Sequence, residues 1–416
     1  MMEFGLIGEK LGHSYSPGIH RIFGDYEYKL YPMPKEELER TLRERQFRGL
    51  NITIPYKTDV LPFCDEISPV VQKVGSANTL VMREGKLCAY NTDLAGFLFM
   101  LKKGGISLTG KKVLILGSGG TSLTAQAACR EEKAGEMTVV SRSGPVDYAE
   151  MYKRHLDAEI IINSTPVGMY PGNGISPVEL DRFPHLQGVA DVIYNPARTK
   201  LLLDAVERKI PCVDGLWMLS AQGFYAARLF LDQALPEGLI GKAYRAVRRD
   251  CLNLVLCGMP GCGKSTLGKM LAKKMQRPFV DLDAEIEKEY GPADQILREK
   301  GESCFRELES RIVEKFGKES GLVIATGGGA ILKKENVGAL RQNGVVVWVQ
   351  RPLEKLSTKG RPLSQGGMET LKKLWTVREP LYRAAAHFAV ENTREKEAAV
   401  KCMLEGFYEA AGNERP

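Results

Sequence analysis

Two glycine-rich loops of different kinds each follow a short apolar run in this chain. The first reads G-S-G-G over residues 117–120, after the run V-L-I-L at 113–116. The second reads G-M-P-G-C-G-K-S over residues 258–265, after L-V-L-C at 254–257. A glycine-rich loop between an apolar strand and a helix presents backbone N–H groups to phosphate oxygens. The chain is therefore predicted to be an α/β protein that binds two nucleotides.

The size and composition indicate a globular protein of more than one domain. The 416 residues exceed one ordinary hydrophobic core, and the chain is 44% hydrophobic and 26% charged. No window of about 18 consecutive apolar residues exists, so we expect no membrane span. The N-terminal residues have no basic-then-apolar signal pattern, and we expect a cytoplasmic protein.

Charge and cysteine usage narrow the class of ligand. The net charge of +7 is spread along the chain without a basic stripe, which favours small anionic ligands over nucleic acid. The nine cysteines include no C-x-x-C pair, which indicates reduced thiols rather than disulfides or a zinc site. The five histidines are isolated, so the metal expected is Mg²⁺ brought by a nucleotide. The sequence does not predict an oligomeric state.

Short β-rich runs alternate with helical stretches from end to end, which predicts parallel sheets. We expect a two-lobed unit with a Rossmann-like second lobe, followed by a P-loop domain with a parallel sheet. The predicted domains are 1–103, 104–249 (with its last helices returning to the first lobe) and 250–416. A hinge is expected at 102–105 and an amphipathic helix at 218–233. Strands are expected at 51–54, 113–116, 137–141, 159–163, 189–193 and 211–213.

The context of the first loop identifies its nucleotide. A G-x-G-G pattern is common, but here it separates an apolar strand from a helix-like stretch, as in dinucleotide-binding units. About twenty residues on, where NAD-binding proteins carry an acid, the chain reads S-R-S over 141–143. Arg142 between two hydroxyl groups favours a 2′-phosphate, and therefore NADP(H) over NAD. The alternative is that Arg142 is a solvated loop residue.

Residues 2–245 resemble the shikimate dehydrogenase family. The motifs that carry the resemblance follow in order: G-H-S-Y-S-P at 12–17 with His20, N-I-T-I-P-Y-K at 51–57, S-A-N-T-L at 76–80, N-T-D at 91–93, N-S-T at 163–165, V-I-Y-N-P at 192–196 and G-L-W-M-L-S-A-Q at 215–222. The resemblance implies reduction of 3-dehydroshikimate to shikimate with NADPH. Ser16 in place of a bulkier threonine favours shikimate over quinate.

Reduction of a ring ketone requires a positioned proton donor for the developing alkoxide. Lys57 is the candidate, with Asp93 as a partner that fixes its ammonium group, and the resemblance implies that this pair is catalytic. The alternative is that Lys57 is a solvated surface residue. The residues expected to hold substrate are Ser14, Ser16, Thr53, Asn78, Asp93, Tyr194 and Gln222. The residues expected to hold NADP(H) are Gly117, Ser118, Gly119, Gly120, Thr121, Ser141, Arg142, Ser143, Thr165 and Gly215.

The second loop matches G-x-x-x-x-G-K-S, a specific nucleoside-triphosphate motif. In such loops the lysine reaches the β- and γ-phosphates and the serine ligates Mg²⁺. The motif alone does not identify the phosphate acceptor. The residues expected to contact ATP are Gly258, Gly261, Cys262, Gly263, Lys264, Ser265 and Thr266.

Residues 251–416 resemble the shikimate kinase family. The motifs are D-L-D at 281–283, F-R-E-L-E at 305–309, A-T-G-G-G-A at 325–330, R-P-L at 361–363 and R-E-P-L-Y at 378–382. The resemblance implies that Asp283 accepts the proton of the attacking hydroxyl and that Asp281 supports Mg²⁺ beside Ser265. It implies a mobile lid that delivers Arg361 to the transferring phosphate.

Two arginines suit the carboxylate of a small polyol acid, because guanidinium groups form charge-assisted bonds to carboxylates. Arg306 and Arg378 are the candidates, with Gly327, Gly328 and Gly329 letting the backbone approach the ligand. Two alternatives stay open. The D-x-D segment could be a helix N-cap, and Arg306 could form a surface ion pair with Glu309. The stretch 353–361 is shorter than the family's usual lid.

The sequence therefore predicts a bifunctional enzyme of two consecutive steps, with NADP(H), ATP and Mg²⁺ as cofactors. One alternative is that one half, more readily the kinase half with its short lid, is a binding or regulatory module. Another is a quinate- and NAD-dependent first half.

Overall fold

The computed structural model describes residues 2–12, 14–356, 367–392 and 395–412. Its strands form three sheets, one of six strands and two of five. Helices cover both five-stranded sheets, so the α/β class with parallel-sheet domains is confirmed. Arg361 and the R-P-L segment of the expected lid lie outside the described residues.

The first sheet is mixed and occupies the N-terminal quarter of the chain. Its order is β2-β1-β3-β5-β6-β4, with β5 antiparallel to both of its neighbours. The strands are β1 Met2–Gly8, β2 Tyr28–Pro32, β3 Phe47–Ile52, β4 Glu66–Ile67, β5 Thr79–Arg83 and β6 Lys86–Tyr90. The helices are α1 Ser16–Phe23, α2 Lys35–Glu44, α3 Pro69–Val74 and α4 Asp93–Gly104.

The second sheet is parallel throughout and carries the first glycine loop after the strand next to one of its edges. Its order is β11-β10-β9-β7-β8. The strands are β7 Lys112–Leu116, β8 Glu136–Val140, β9 Ile160–Asn163, β10 Gly188–Asp191 and β11 Cys212–Val213. The helices are α5 Gly120–Glu131, α6 Tyr148–Arg154, α7 Lys200–Glu207, α8 Leu216–Leu231 and α9 Gly238–Cys251.

The third sheet is also parallel and carries the second loop after its central strand. Its order is β13-β14-β12-β15-β16. The strands are β12 Asn253–Cys257, β13 Phe279–Asp281, β14 Val323–Ala325, β15 Gly344–Gln350 and β16 Phe388–Glu391. The helices are α10 Lys264–Met275, α11 Leu282–Tyr290, α12 Ala293–Gly317, α13 Lys334–Gln342, α14 Gly367–Ala385 and α15 Lys396–Gly412.

Burial on both faces explains why the strands of the two parallel sheets read as continuous apolar runs. All five residues of β12 are fully buried, as are Leu114 to Leu116 of β7 to within 2% exposure. Helix α8 returns from the second sheet to the first, where Phe230 packs on β3 at Gly49. This packing brings residues from distant parts of the chain to one site.

Most predicted strands are confirmed to within two residues, but the strand predicted at 51–54 is misplaced. β3 ends at Ile52, because the Thr53 carbonyl oxygen already accepts the backbone N–H of Tyr56 in a turn. The predicted hinge at 102–105 is the end of α4, where Gly105 caps the helix with a φ of 64°. The charged run at 245–250 lies inside α9. The division into domains stays a prediction.

All nine cysteines are unpaired thiols. Among the described helices, none is both long enough and apolar enough to cross a bilayer.

Candidate active sites

Lys57 and Asp93 form a close ion pair at one end of the first sheet. The Lys57 Nζ lies 2.6 Å from Asp93 Oδ2. Lys57 lies in the turn segment that follows β3, and Asp93 is the first residue of α4. The Asp93 side chain is only 9% exposed and that of Lys57 is 24% exposed. The ammonium group is therefore held in place while one side of it stays open to a ligand.

Asn78 holds the second oxygen of the same carboxylate. Its Nδ2 donates to Asp93 Oδ1 at 2.9 Å and to Thr92 Oγ1 at 2.9 Å, and lies 3.4 Å from Gln222 Oε1. Its Oδ1 accepts from the backbone N–H of Thr92 at 2.7 Å. Both carboxylate oxygens of Asp93 are thus fixed, which orients the lysine. Four predicted site residues meet here.

Helix α8 reaches this cluster because α4 carries a glycine at the contact. A Cβ at Gly96 would lie 2.9 Å from the Met218 carbonyl oxygen and 3.0 Å from Gln222 Cβ. On its other face α8 meets α1, where a Cβ at Gly223 would lie 3.1 Å from Ile19. The sequence analysis missed Gly96, since a single glycine in a helical stretch carries no signal of its own.

A second group of predicted substrate residues lies at the start of α1. Ser14 Oγ donates to Ser16 Oγ at 3.2 Å, and Ser16 is buried. Between them, the ring of Tyr15 lies 5.5 Å from the ring of Tyr194. Thr53 lies in the turn after β3 and is half-buried. Tyr15 was not among the predicted site residues, although it stands inside the S-Y-S motif.

The first glycine loop and the S-R-S segment lie at the same edge of the second sheet, since β7 and β8 are parallel neighbours. Gly117 has a φ of 105°, and a Cβ there would lie 3.0 Å from Ser164 Oγ. Gly119 and Gly120 begin α5, and a Cβ at either meets nothing within 4 Å. Arg142 and Ser143 are exposed, whereas Ser141 is buried.

The other predicted dinucleotide contacts lie nearby or have a packing role. Thr121 is in the first turn of α5, and Thr165 follows β9, which neighbours β7. Thr165 Oγ1 donates to Asn163 Oδ1 at 2.7 Å. A Cβ at Gly215 would lie 1.9 Å from the Val192 carbonyl oxygen. Close approach of two backbone segments therefore requires glycine at 215, independently of any cofactor.

The second loop wraps around the ammonium group of its own lysine. Lys264 Nζ donates to the carbonyl oxygens of Gly258 at 2.9 Å and Met259 at 3.1 Å, and Lys264 is buried. The loop needs glycines at three positions because φ is 145° at Gly258, 82° at Gly261 and 105° at Gly263. Cys262 is buried, and Ser265 and Thr266 are exposed in the first turn of α10.

Asp281 and Asp283 lie where β13 passes into α11. Asp281 occupies the N-cap position, but its side chain makes no capping hydrogen bond. Desolvation raises the pKa of the Asp283 carboxyl to about 6, with further rises from Asp281 and Glu309 and an opposing effect of Lys264. The Asp283 side chain stays in contact with solvent. A carboxyl with such a pKa can accept and release a proton near neutral pH.

The glycine loop after β14 joins Asp283 to Arg306. A Cβ at Gly327 would lie 2.6 Å from Asp283 Oδ1 and 2.7 Å from Glu309 Oε1. A Cβ at Gly329 would lie 2.2 Å from Arg306 Nη1. Gly327 and Gly329 therefore have a steric reason, since a side chain at either position would displace a charged group.

Both predicted carboxylate-binding arginines are buried beside this loop. Arg306 Nη1 lies 2.8 Å from Glu309 Oε2, and Arg378 Nη1 donates to the Gly328 carbonyl oxygen at 3.2 Å. The ion pair of Arg306 with Glu309 is present, but it is buried rather than on the surface. Burial raises the pKa of Glu309, and Arg306 opposes that rise. Glu309 was missed as a site residue, although the F-R-E-L-E motif contains it.

Comparison with known proteins accounts for the first half of the chain. A shikimate dehydrogenase (NADP(+)) of Clostridium perfringens is 34% identical over 267 residues, which cover 58% of this chain and 97% of the relative. The chain belongs to the shikimate dehydrogenase family. The crystal structure of shikimate 5-dehydrogenase from Thermus thermophilus, in complex with NADP(H) and shikimate, is 32% identical, with a TM-score of 0.54. That match covers 59% of this chain and 99% of the other.

Two family models match separate parts of the chain. The model of the shikimate dehydrogenase substrate binding domain matches residues 6–80, and the model of shikimate kinase matches residues 260–406. A chorismate mutase/shikimate 5-dehydrogenase fusion protein from Clostridium acetobutylicum is 33% identical, covers 59% of this chain and 96% of its own, and has a TM-score of 0.57. The chain thus joins a shikimate dehydrogenase to a shikimate kinase domain. We refer to residues 2–249 as the dehydrogenase half and to residues 250–412 as the kinase half.

Proposed function

We propose that this chain reduces 3-dehydroshikimate to shikimate and then phosphorylates shikimate at its 3-hydroxyl. The observation that carries the proposal is the presence of two separate polar clusters among the described residues of one chain. The first centres on Lys57, Asp93 and Asn78, and the second on Lys264 and Asp283 beside the two buried arginines.

In the dehydrogenase half, Lys57 would donate a proton to the ketone oxygen as charge develops there. Asp93 holds the ammonium group at 2.6 Å and is itself held by Asn78, so the donor is oriented before substrate arrives. Ser14 and Ser16 would bind the carboxylate of the substrate, and Thr53, Tyr194 and Gln222 would bind its hydroxyl groups.

The loop after β7 fits NADP(H). Gly119 and Gly120 leave open space over the start of α5, where a pyrophosphate can meet backbone N–H groups. Arg142, exposed beyond β8, would pair with the 2′-phosphate. NADP(H) supplies the hydride when bound.

In the kinase half, Arg306 and Arg378 would hold the carboxylate of shikimate beside the 327–329 loop. Asp283 would accept the proton of the attacking hydroxyl, a role that its raised pKa near 6 suits. Lys264 is already buried within the ATP loop and would move from the loop carbonyls to phosphate oxygens.

The exposed Ser265 and the half-buried Asp281 fit a Mg²⁺ that keeps several waters and phosphate oxygens in its coordination shell. ATP with Mg²⁺ supplies the transferable phosphoryl group when bound.

Two separate assays on the full chain test the proposal. NADPH oxidation is followed with 3-dehydroshikimate, and ADP release is followed with ATP and Mg²⁺ in the presence and absence of shikimate. We expect both reactions, with NADPH used faster than NADH. Absence of shikimate-dependent ADP release would make the kinase half a binding module. Equal rates with NADH and NADPH would contradict the proposal that Arg142 binds the 2′-phosphate.

A further inference from the structure

The kinase half contacts the dehydrogenase half through the amino-terminal edge of its sheet. This edge consists of the turn 318–322 before β14 and the junction between α13 and β15 at residues 341–344. Asn343 links the two segments, since its Nδ2 donates to the Lys318 carbonyl oxygen at 2.9 Å. Its Oδ1 accepts the backbone N–H of Ala197, from the dehydrogenase half, at 2.8 Å.

Arg198 forms the principal hydrogen bonds across this contact. Its Nη1 donates to the carbonyl oxygen of Arg341 at 2.9 Å and lies 3.4 Å from that of Gly344, and its own N–H donates to the Gln342 carbonyl oxygen at 2.9 Å. Arg198 is only 7% exposed. It stands four residues after Tyr194, so the segment 194–198 is fixed at one end by the kinase half.

Tyr15 makes a second contact with the kinase half, through the turn 318–322. Its hydroxyl lies beside Ser320 and beside the thiol of Cys251, the last residue of α9, while its ring packs beside that of Tyr194. The residues on either side of Tyr15 are Ser14 and Ser16. Both contacts therefore end on segments that carry proposed substrate-binding residues.

We infer that the kinase half positions the substrate-binding segments of the dehydrogenase half, with Tyr15 and Arg198 as the positioning residues. The inference rests on the proposed function of the dehydrogenase site. Neither residue belongs to the Lys57–Asp93 cluster, so the effect falls on substrate binding rather than on proton transfer. Segments held in the binding geometry before substrate arrives lose less conformational freedom on binding.

The test uses the full chain with Tyr15→Phe, Arg198→Lys and Arg198→Ala. Tyr15→Phe removes one hydroxyl and keeps the ring, and Arg198→Lys keeps the charge but cannot bond two carbonyls in the same fork geometry. Lys334→Ala is the matched control, because it removes an exposed ion pair with Glu207 that joins the same halves away from these segments.

We expect the KM for 3-dehydroshikimate to rise about three- to tenfold in Tyr15→Phe and Arg198→Ala, and less in Arg198→Lys. The kcat, the KM for NADPH and the KM for shikimate in the kinase reaction should stay as in the control. A KM for 3-dehydroshikimate that matches the control would overturn the inference. If Arg198→Ala does not fold, Tyr15→Phe decides the question. An unmodified chain that fails to reduce 3-dehydroshikimate would instead overturn the proposed function, and this inference with it.

Discussion

Asp93 is a proposed active-site residue whose carboxylate has little contact with solvent. Its two oxygens are taken by Lys57 and Asn78, and its backbone begins a helix. An ionised carboxylate near the start of a helix is also favoured by the helix dipole. The charge needed to hold the lysine is therefore stabilised by elements that are present before any ligand binds.

Replacing the lysine tests this arrangement. Lys57→Ala should lower kcat for 3-dehydroshikimate reduction by roughly 10²- to 10⁴-fold, the usual contribution of a positioned proton donor. The kinase reaction should be unchanged, since it uses other residues. The chain should stay folded, because Asp93 keeps Asn78 as a hydrogen-bond partner. The measurement is steady-state NADPH oxidation, together with a thermal melt.

Lys35→Ala is a suitable control for this variant, since Lys35 is exposed and its ion-pair partner among the described residues is Asp59. Near-normal reduction by Lys57→Ala would contradict the role of the lysine.

Asp283 gives a prediction about pH. Its carboxyl is raised to a pKa of about 6, chiefly by desolvation, and only the ionised form can accept the hydroxyl proton. The kcat/KM of the kinase reaction should therefore be maintained above about pH 6 and fall about tenfold per unit below it. The Asp283→Asn variant should lose most of the kinase activity. Its remaining kcat/KM should no longer fall as the pH drops below about 6. An acid limb that persists in Asp283→Asn would assign it to another group.

At the residue scale, the charged and polar site residues were predicted because each stands in a motif with a chemical reason, and their roles stay a prediction. Lys57, Asp93, Asn78 and Gln222 do meet, although 165 positions separate the first from the last. Residues that act by size, such as Gly96, could not be predicted. Their requirement appears only once two helices pack against each other.

At the scale of elements, the two glycine loops impose different demands on the backbone. The first loop has one glycine in the left-handed region, Gly117, whereas the second has three. Gly263 is constrained by a residue outside the loop, because a Cβ there would lie 2.4 Å from Asn392 Nδ2. Asn392, just beyond β16, donates to the Cys262 carbonyl oxygen at 2.7 Å and so holds the loop against the sheet.

Gly263→Ala should therefore weaken both stability and ATP binding. We expect a loss of about 1–2 kcal/mol in the free energy of unfolding, from the positive φ alone, and a raised KM for ATP. The measurements are denaturant unfolding and kinase kinetics. Gly338→Ala is the control, since Gly338 lies within α13 and its Cβ would meet nothing within 4 Å. Equal stability of the two variants would contradict the steric account.

Apolar runs and turn residues predicted where the strands and helices lie. They did not predict the residues at which these elements begin and end. The polar–apolar alternation at 51–54 predicted a strand there, yet β3 is Phe47–Ile52, because its pairing with β1 and β5 begins earlier. The boundary predicted between residues 249 and 250 lies inside α9, in which Arg248 is buried against Tyr244. Tertiary packing therefore sets the end of this strand and the extent of this helix.

At the scale of the whole molecule, the contact between the halves could not be predicted from the sequence. It depends on backbone carbonyls and turn geometry, which leave no motif. The dehydrogenase half contacts the kinase half where β14 and β15 begin, whereas the kinase site residues follow the ends of β12, β13 and β14. The five residues of β12 alone span roughly 16 Å, at about 3.3 Å per residue.

This arrangement predicts that shikimate leaves the first site for solvent before it reaches the second. With labelled 3-dehydroshikimate as substrate, added unlabelled shikimate should dilute the label in shikimate 3-phosphate in proportion to the pool. Mass spectrometry of the product measures the ratio. Full retention of label against a large unlabelled pool would mean direct transfer between the sites.

The measurement that tests the central claim most directly supplies 3-dehydroshikimate, NADPH, ATP and Mg²⁺ together to the purified full chain. We predict that shikimate 3-phosphate forms, with one NADPH oxidised and one ADP released per molecule of product. Lys57→Ala should stop both events, whereas Asp283→Asn should stop only ADP release and leave shikimate as the product. Failure of the unmodified chain to form shikimate 3-phosphate under these conditions would contradict the account.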